Sequence, residues 1–226
     1  MDPVSNSRRG QVSVPDALYK AVRAVAHLIC ALYWRVSVDA ARPVPEQGPV
    51  ILAPVHRSFM DFFVVSEATK RKIFYMAKDE LWHNRLLGRF LDAVGAFPVN
   101  RSGTDRAALD TARTVLERGD VLIVFPEGTR RSGPQIEGLH EGAAFLAART
   151  GAVIVPIGIG GTEAAMPKGS KMIRPVKVHL VVGEPIDPPE AASSGRVPRS
   201  KIHATTETLR VALQRLFDEA QQAVGA

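Results

Sequence analysis

Val50-Ile-Leu-Ala-Pro-Val-His-Arg-Ser-Phe-Met-Asp61 opens with an apolar run over 50–55 that stops at His56. A run this short, following the Pro- and Gly-broken segment Arg42–Pro49, reads as a buried strand that hands His56 to a loop. Ser58 is a candidate N-cap for a helix over Phe59–Thr69, with Asp61 in its first turn. Residues five apart do not share a helix face, which takes a spacing of three or four. A His56–Asp61 pair therefore requires the histidine to stay in the loop and the chain to turn back over it. The same plan recurs at Val121-Leu-Ile-Val-Phe-Pro-Glu-Gly-Thr-Arg130, where the strand Val121–Phe125 leads into a polar loop.

On either side of these stretches apolar runs alternate with helical patterns. Helices are expected over Asp16–Val38, Asp79–Val94, Thr104–Arg118, Leu139–Thr150 and Ile202–Ala223. Leu81, Trp82, Leu86, Leu87, Phe90 and Leu91 form the apolar side of the second of these, and Ser102 or Thr104 caps the third. Further strands are expected at Ile73–Met76, Ala96–Arg101, Val153–Ile159 (interrupted by Pro156) and Val176–Val182, with a glycine turn at Gly158–Gly161. The alternation predicts an α/β fold: a single layered domain with a largely parallel sheet flanked by helices, plus an N-terminal amphipathic helix. Residues 1–14 are expected to be a flexible N-terminus, 15–43 an amphipathic membrane-contact helix and linker, and 44–226 the main domain. Sites in such sheets lie on loops at the carboxyl ends of strands, and His56, Arg101 and the Glu127–Arg130 loop all follow strands.

The 226 residues carry a net charge of +6, with 46% hydrophobic and 23% charged residues. That composition suits a globular domain with an anionic partner. No basic-aromatic pattern of a nucleic-acid module is present, so nucleic acid is not an expected partner. The single cysteine, Cys30, excludes an internal disulfide and a Cys-rich metal site. No metal is expected, because no further ligands stand near His56 at metal-binding spacing. The N-terminus lacks the apolar core of a secretory signal. The most apolar helical segment, Ala24–Trp34, is interrupted by His27 and bounded by Arg23 and Arg35, well short of the roughly 20 apolar residues of a span. Lys20, Arg23, His27 and Arg35 form one basic stripe on an otherwise apolar helix. That helix either packs on the core or lies in a membrane interface with its basic groups toward lipid phosphates. The second reading places the protein peripherally on the cytoplasmic face of an anionic membrane. Nothing in the sequence specifies an oligomeric state.

An imidazole titrates near ~6.5 in its unperturbed state and can accept a proton at neutral pH. Asp61 would fix its tautomer and stabilise the imidazolium, as the acid does in a hydrolase triad. A substrate hydroxyl would then serve as nucleophile, so no protein serine is needed. Gly128 permits close backbone approach, Thr129 can donate one hydrogen bond and Arg130 can grip a phosphate in bidentate fashion. Glu127 would orient Arg130 or bind a substrate hydroxyl, and Arg101 is a second phosphate candidate. Each also reads as an ordinary loop residue when taken alone.

With these residues in view the chain resembles the glycerolipid acyltransferases, the family of 1-acylglycerol-3-phosphate acyltransferases, over roughly Val50–Gly183. Its H-x4-D motif is His56–Asp61, its second motif Gly95–Arg101, its third Glu127-Gly-Thr-Arg130 after Phe125-Pro126, and its fourth Val155-Pro156-Ile157. The resemblance implies transfer of a fatty acyl group from an acyl-CoA or acyl carrier protein thioester to the free hydroxyl of 1-acylglycerol 3-phosphate, giving phosphatidic acid, with no further cofactor. It implies His56 as base, Asp61 as its partner, Arg101 and Glu127–Arg130 at the acceptor phosphate, and Val155, Pro156 and Ile157 near the acyl donor. Val55 stands where lysophosphatidate enzymes often carry Asn, and His140-Glu141-Gly142 stands where a basic residue is frequent. Glycerol 3-phosphate, another lysophospholipid or a glycolipid therefore stay open as acceptors.

Overall fold

A computed structural model describes residues 16–100, 105–167, 172–192 and 196–225. The segment 1–14, expected to be a flexible N-terminus, lies outside them. The apolar runs become strands β1 (Ser37–Ala40), β2 (Val50–Pro54), β3 (Ile73–Lys78), β4 (Ala96–Val99), β5 (Val121–Ile123), β6 (Val153–Gly160) and β7 (His179–Val182). They form one seven-stranded sheet of order β1-β7-β6-β2-β5-β3-β4. Strands β2 to β6 run parallel to one another, while β7 is antiparallel to β6 and parallel to the edge strand β1. The helices are α1 (Asp16–Leu32), α2 (Asp61–Val64), α3 (Arg85–Ala93), α4 (Arg106–Glu117), α5 (Gly142–Thr150), α6 (Thr162–Ala165) and α7 (Arg199–Val224). This is the largely parallel, helix-flanked α/β arrangement expected. Every residue of β2 is buried, as its unbroken apolar run requires for a strand covered on both faces.

Several elements differ from expectation for local reasons. The edge strand β1 lies in the segment read as the end of the first helix and the linker. The helix expected over Phe59–Thr69 is one α-turn, α2, continued by a 3-10 turn over Val65–Ala68. The helix expected from Asp79 is split into a 3-10 turn, Asp79–His83, and α3. Asn84 causes the break, since its side chain accepts from the amides of Leu86 and Leu87 and so starts a new helix. Asp105 caps α4 by accepting from the Ala108 amide at 3.0 Å; Ser102 and Thr104, the expected caps, lie outside the described residues.

Strand β6 runs through Pro156 without interruption. The Pro156 carbonyl accepts from the Gly183 amide, just beyond the β6–β7 ladder, which begins at Ile157 and Val182. Gly183 stands opposite Pro156 in this register, and Pro156 has no N–H to return to it, so the pairing with β7 is one bond short here. Gly158 and Gly160 are part of β6 rather than of a turn. A Cβ at either position would collide with the backbone carbonyl of Leu216 or Ala220, so both glycines let α7 lie directly on the sheet.

The first helix docks through its polar side. The Tyr19 hydroxyl accepts from the Ile73 amide at 3.0 Å. The Arg23 guanidinium donates to the carbonyls of Arg71, Ser66 and Thr69, and His27 Nδ1 lies 2.6 Å from Glu67. The expectation that this basic stripe faces lipid phosphates is thus corrected for Arg23 and His27, which satisfy the carbonyl end and the acid of the Val65–Ala68 turn. Apolar groups point outward instead: Val25 is 58%, Leu28 57% and Leu32 72% exposed. The apolar side expected for the Asp79–Val94 segment is not buried either, with Leu86 at 78% exposure and Phe90 at 44%. Among the described residues no helix is long and apolar enough to cross a membrane.

Candidate active site

Strands β2 and β5 are neighbours and parallel, so the loops leaving their carboxyl ends meet. The Val124 amide bonds the Leu52 carbonyl at 3.0 Å, and the Arg131 amide bonds the His56 carbonyl at 2.9 Å. On the other side the Val55 amide bonds the Ile157 carbonyl of β6 at 3.0 Å. His56 is thereby held at the mouth of the sheet by both neighbouring strands.

The chain does turn back over the histidine. His56 Nδ1 lies 2.9 Å from Asp61 Oδ2. The same oxygen accepts the amides of Arg57 at 2.7 Å and Ser58 at 2.8 Å. Asp61 is wholly buried and His56 is 3% exposed. A carboxylate buried among three donors on one oxygen keeps Nδ1 protonated and leaves Nε2 as the acceptor nitrogen. Ser58 is not the N-cap expected. Its hydroxyl donates to the Met166 carbonyl and accepts from the Met60 amide, and Met60 occupies the N-cap position of α2 with no side-chain cap.

Two aromatic rings surround the imidazole. Phe125 stacks on it at 4.0 Å between centroids, and Phe62 meets it edge-on at 5.6 Å. These rings keep water from one face of the base and strengthen its bond to Asp61. The sequence marks Phe125 only as the flank of the third motif and Phe62 not at all, since aromatic residues beside motifs are most often core.

The Glu127–Arg130 loop divides. Glu127 is 2% exposed; Oε1 accepts from the His56 amide at 2.7 Å and Oε2 from Arg57 Nη1 at 2.5 Å. Its grouping with the phosphate residues is corrected accordingly: the carboxylate orients Arg57 and His56 and is not turned to Arg130 or to a substrate hydroxyl. Gly128 has φ +69, and a Cβ there would stand 2.7 Å from the ring of His140, so only glycine lets the loop pass under that histidine. Thr129 is exposed and Arg130 half-buried, and the Arg130 side chain makes no hydrogen bond or ion pair to another described residue. Arg101 lies outside the described residues. His140 and Arg57 read as ordinary in the sequence, where nothing marks an arginine that will be buried.

Val155, Pro156 and Ile157 are buried in the centre of β6, Val155 at 1% and Ile157 at 0% exposure. They support the His56 loop from below, where the Ile157 carbonyl accepts the Val55 amide. An apolar groove lies elsewhere, between α1, α2 and α3, with a volume of about 750 Å³. Val25, Ile29, Phe59, Phe63, Phe90 and Ile173 are among its lining residues. Phe59 and Phe63 belong to the segment that carries Asp61, so groove and His–Asp pair share one structural unit. Among the described residues no group of three or more His, Cys, Asp or Glu side chains could hold a metal ion.

The chain has relatives among known proteins. The chain is 28% identical over 207 residues to the 1-acyl-sn-glycerol-3-phosphate acyltransferase of Bacillus subtilis (strain 168), covering 91% of this chain and 100% of that protein. It is 30% identical over 203 residues to the enzyme of the same name from Streptococcus pneumoniae (strain ATCC BAA-255 / R6), covering 86% of this chain and 72% of that one. In fold it is similar to the crystal structure of the 1-acyl-sn-glycerophosphate (LPA) acyltransferase PlsC from Thermotoga maritima, with a TM-score of 0.66 and 24% identity over 84% of this chain and 78% of that one. Residues 35–160, which contain the His56–Asp61 pair and the Glu127–Arg130 loop, match the family profile described as Acyltransferase, and the chain belongs to the acyltransferase family.

Proposed function

We propose that this acyltransferase moves a fatty acyl group from an acyl thioester, acyl-CoA or acyl carrier protein, to the free hydroxyl of 1-acylglycerol 3-phosphate, giving phosphatidic acid for phospholipid biosynthesis. The observation that carries the chemistry is the buried His56–Asp61 bond of 2.9 Å. With Nδ1–H held by Asp61, Nε2 takes the acceptor's hydroxyl proton as its oxygen attacks the thioester carbonyl carbon. The tetrahedral intermediate collapses by breaking the C–S bond, and the imidazolium returns the proton to the leaving sulfur. The products are an ester and a free thiol. A base so placed contributes roughly 100- to 10,000-fold. Arg130, without a partner among the described residues and beside the histidine loop, suits the acceptor phosphate, with the Thr129 hydroxyl next to it.

The acceptor's chemistry matches the surroundings. An apolar groove of about 750 Å³ suits an acyl chain, and exposed Leu28, Leu32 and Leu86 suit lipid rather than water. Exposed Lys20, Arg35, Arg85 and Arg89 stand on or beside the same helices and fit the headgroups of an anionic, cytoplasmic membrane face. In this arrangement α1 lies on the membrane with its polar side fixed to the protein. The test is incubation of labelled 1-acylglycerol 3-phosphate in vesicles with acyl-CoA, and separately with acyl carrier protein thioester. Labelled phosphatidic acid is expected with at least one donor, and its absence with both refutes the proposed acceptor.

A further inference from the structure

We propose that Arg57 and Glu127 are positioning residues: a buried clamp that fixes the backbone of His56 and ties it to α7, without touching the acceptor. The inference rests on the reading of His56 as the base. Arg57 is 1% and Glu127 2% exposed, so neither reaches a substrate in this arrangement. Glu127 Oε1 accepts the His56 amide at 2.7 Å, and Arg57 Nη1 donates both to Glu127 Oε2 at 2.5 Å and to the His56 carbonyl at 3.3 Å. The pair therefore grips both polar backbone groups of the histidine. Of His56 itself Asp61 holds the ring, and its bonds to the Arg57 and Ser58 amides fix the turn that follows, while the clamp holds the His56 amide and carbonyl.

The clamp is anchored on the C-terminal helix. The Arg57 guanidinium lies 4.8 Å from the centroid of the Phe217 ring on α7, and its Nη2 donates to the Gln135 carbonyl at 3.1 Å. Gln214, less than one turn before Phe217, accepts from the Ile136 amide at 2.7 Å and donates to the Pro134 carbonyl at 2.9 Å. One helix face thus supports the arginine with a ring and holds the loop that supplies its carbonyl partner. Burying two charges is costly, and an apolar pair of like volume is often as stable. Holding His56 accounts for keeping the charges here, because a displacement of about 1 Å at a catalytic group costs about 100-fold in rate.

Glu127→Gln, Phe217→Leu and Gln214→Ala test this in the full chain, with His56→Ala alongside. Thiol release at varied acceptor concentration would give kcat and KM for the lysophosphatidate, and circular dichroism would verify folding. In Glu127→Gln, kcat is expected to fall about 10- to 100-fold with KM changed less than about twofold, the pattern of a lost transition-state geometry. Phe217→Leu leaves both charges and much of the volume in place and is expected to lower kcat about three- to tenfold, again without a KM change. A KM that rises in Glu127→Gln while kcat is retained would make Glu127 an acceptor ligand and overturn the clamp. Wild-type kcat in folded Phe217→Leu and Gln214→Ala would also overturn it, whether or not Glu127→Gln folds. An inactive His56→Ala beside unaffected clamp variants removes the clamp alone. An active His56→Ala removes the base, and the clamp with it.

Discussion

Asp61→Asn separates the electrostatic role of this residue from its structural one. The asparagine oxygen can still accept from the amides of Arg57 and Ser58, which now bond Asp61 Oδ2 at 2.7 and 2.8 Å. That same Oδ2 faces His56 Nδ1 at 2.9 Å, so the asparagine oxygen keeps the ring contact as well, and the NH2 group takes the place of Oδ1, which is buried without a hydrogen-bond partner. The tautomer is kept, and the negative charge that stabilises the imidazolium is lost. A hydrogen bond to a charged group is worth about 1.5–3 kcal/mol, so kcat is expected to fall about 10- to 100-fold at 1.36 kcal/mol per decade. Folding is affected too. A buried NH2 without an acceptor costs about 1–3 kcal/mol, and relief from burying a carboxylate offsets part of it. A net destabilisation of about 1–2 kcal/mol is expected. Thiol release at saturating donor, read with urea unfolding of the same preparation, measures both. A folded Asp61→Asn enzyme with wild-type turnover would refute the electrostatic role.

Other substitutions probe the surroundings. Gly128→Ala places a methyl group in a φ +69 conformation and 2.7 Å from the His140 ring; a loss of about 1–2 kcal/mol from the backbone alone plus the collision should appear in urea unfolding, and a second change, His140→Ala, should recover only the collision. Leu28→Glu with Leu32→Glu alters side chains that are 57% and 72% exposed, so sedimentation with anionic vesicles should be lost while the thermal midpoint stays within about 2 °C, since surface changes usually stay within ±0.5 kcal/mol. Burial first, then the Glu67 carboxylate, pushes the Cys30 thiol up to about 12, so iodoacetamide should leave it unmodified at pH 8 until the protein unfolds. With the folded value raised above the usual ~8.5, the stability it contributes is intact below that pH and is lost as pH climbs toward 12; Cys30→Ala should flatten the alkaline side of the stability profile.

The parts of this molecule that are legible in the sequence are those where one physical cause dominates. The run Val50–Val55 has to be a covered strand, and Gly151 has to end α5, which it does at φ +70. The His56–Asp61 pairing follows from a geometric demand that the short α2 meets. Other features depend on partners far along the chain. Strand β1 pairs with β7, 142 positions later at the Ser37–His179 match, and four residues of mixed polarity give no local sign of it. Arg57 looks like a surface charge, and only Glu127, Gln135 and Phe217 together make its burial tolerable. The glycines of β6 read as a turn because their cause, the close approach of α7, lies in another element. The basic stripe of α1 shows the right periodicity, but a helical period does not say which face meets the protein.

His56, held by Asp61, is expected to take the proton from a lysophosphatidate hydroxyl. The decisive assay is thiol release from acyl-CoA and from acyl carrier protein thioester, with 1-acylglycerol 3-phosphate and glycerol 3-phosphate offered separately to wild type and His56→Ala. Release is expected with 1-acylglycerol 3-phosphate alone, from at least one donor, and is expected to disappear in a folded His56→Ala protein. Undiminished release from that variant, or release only with glycerol 3-phosphate, would overturn the assigned base or acceptor.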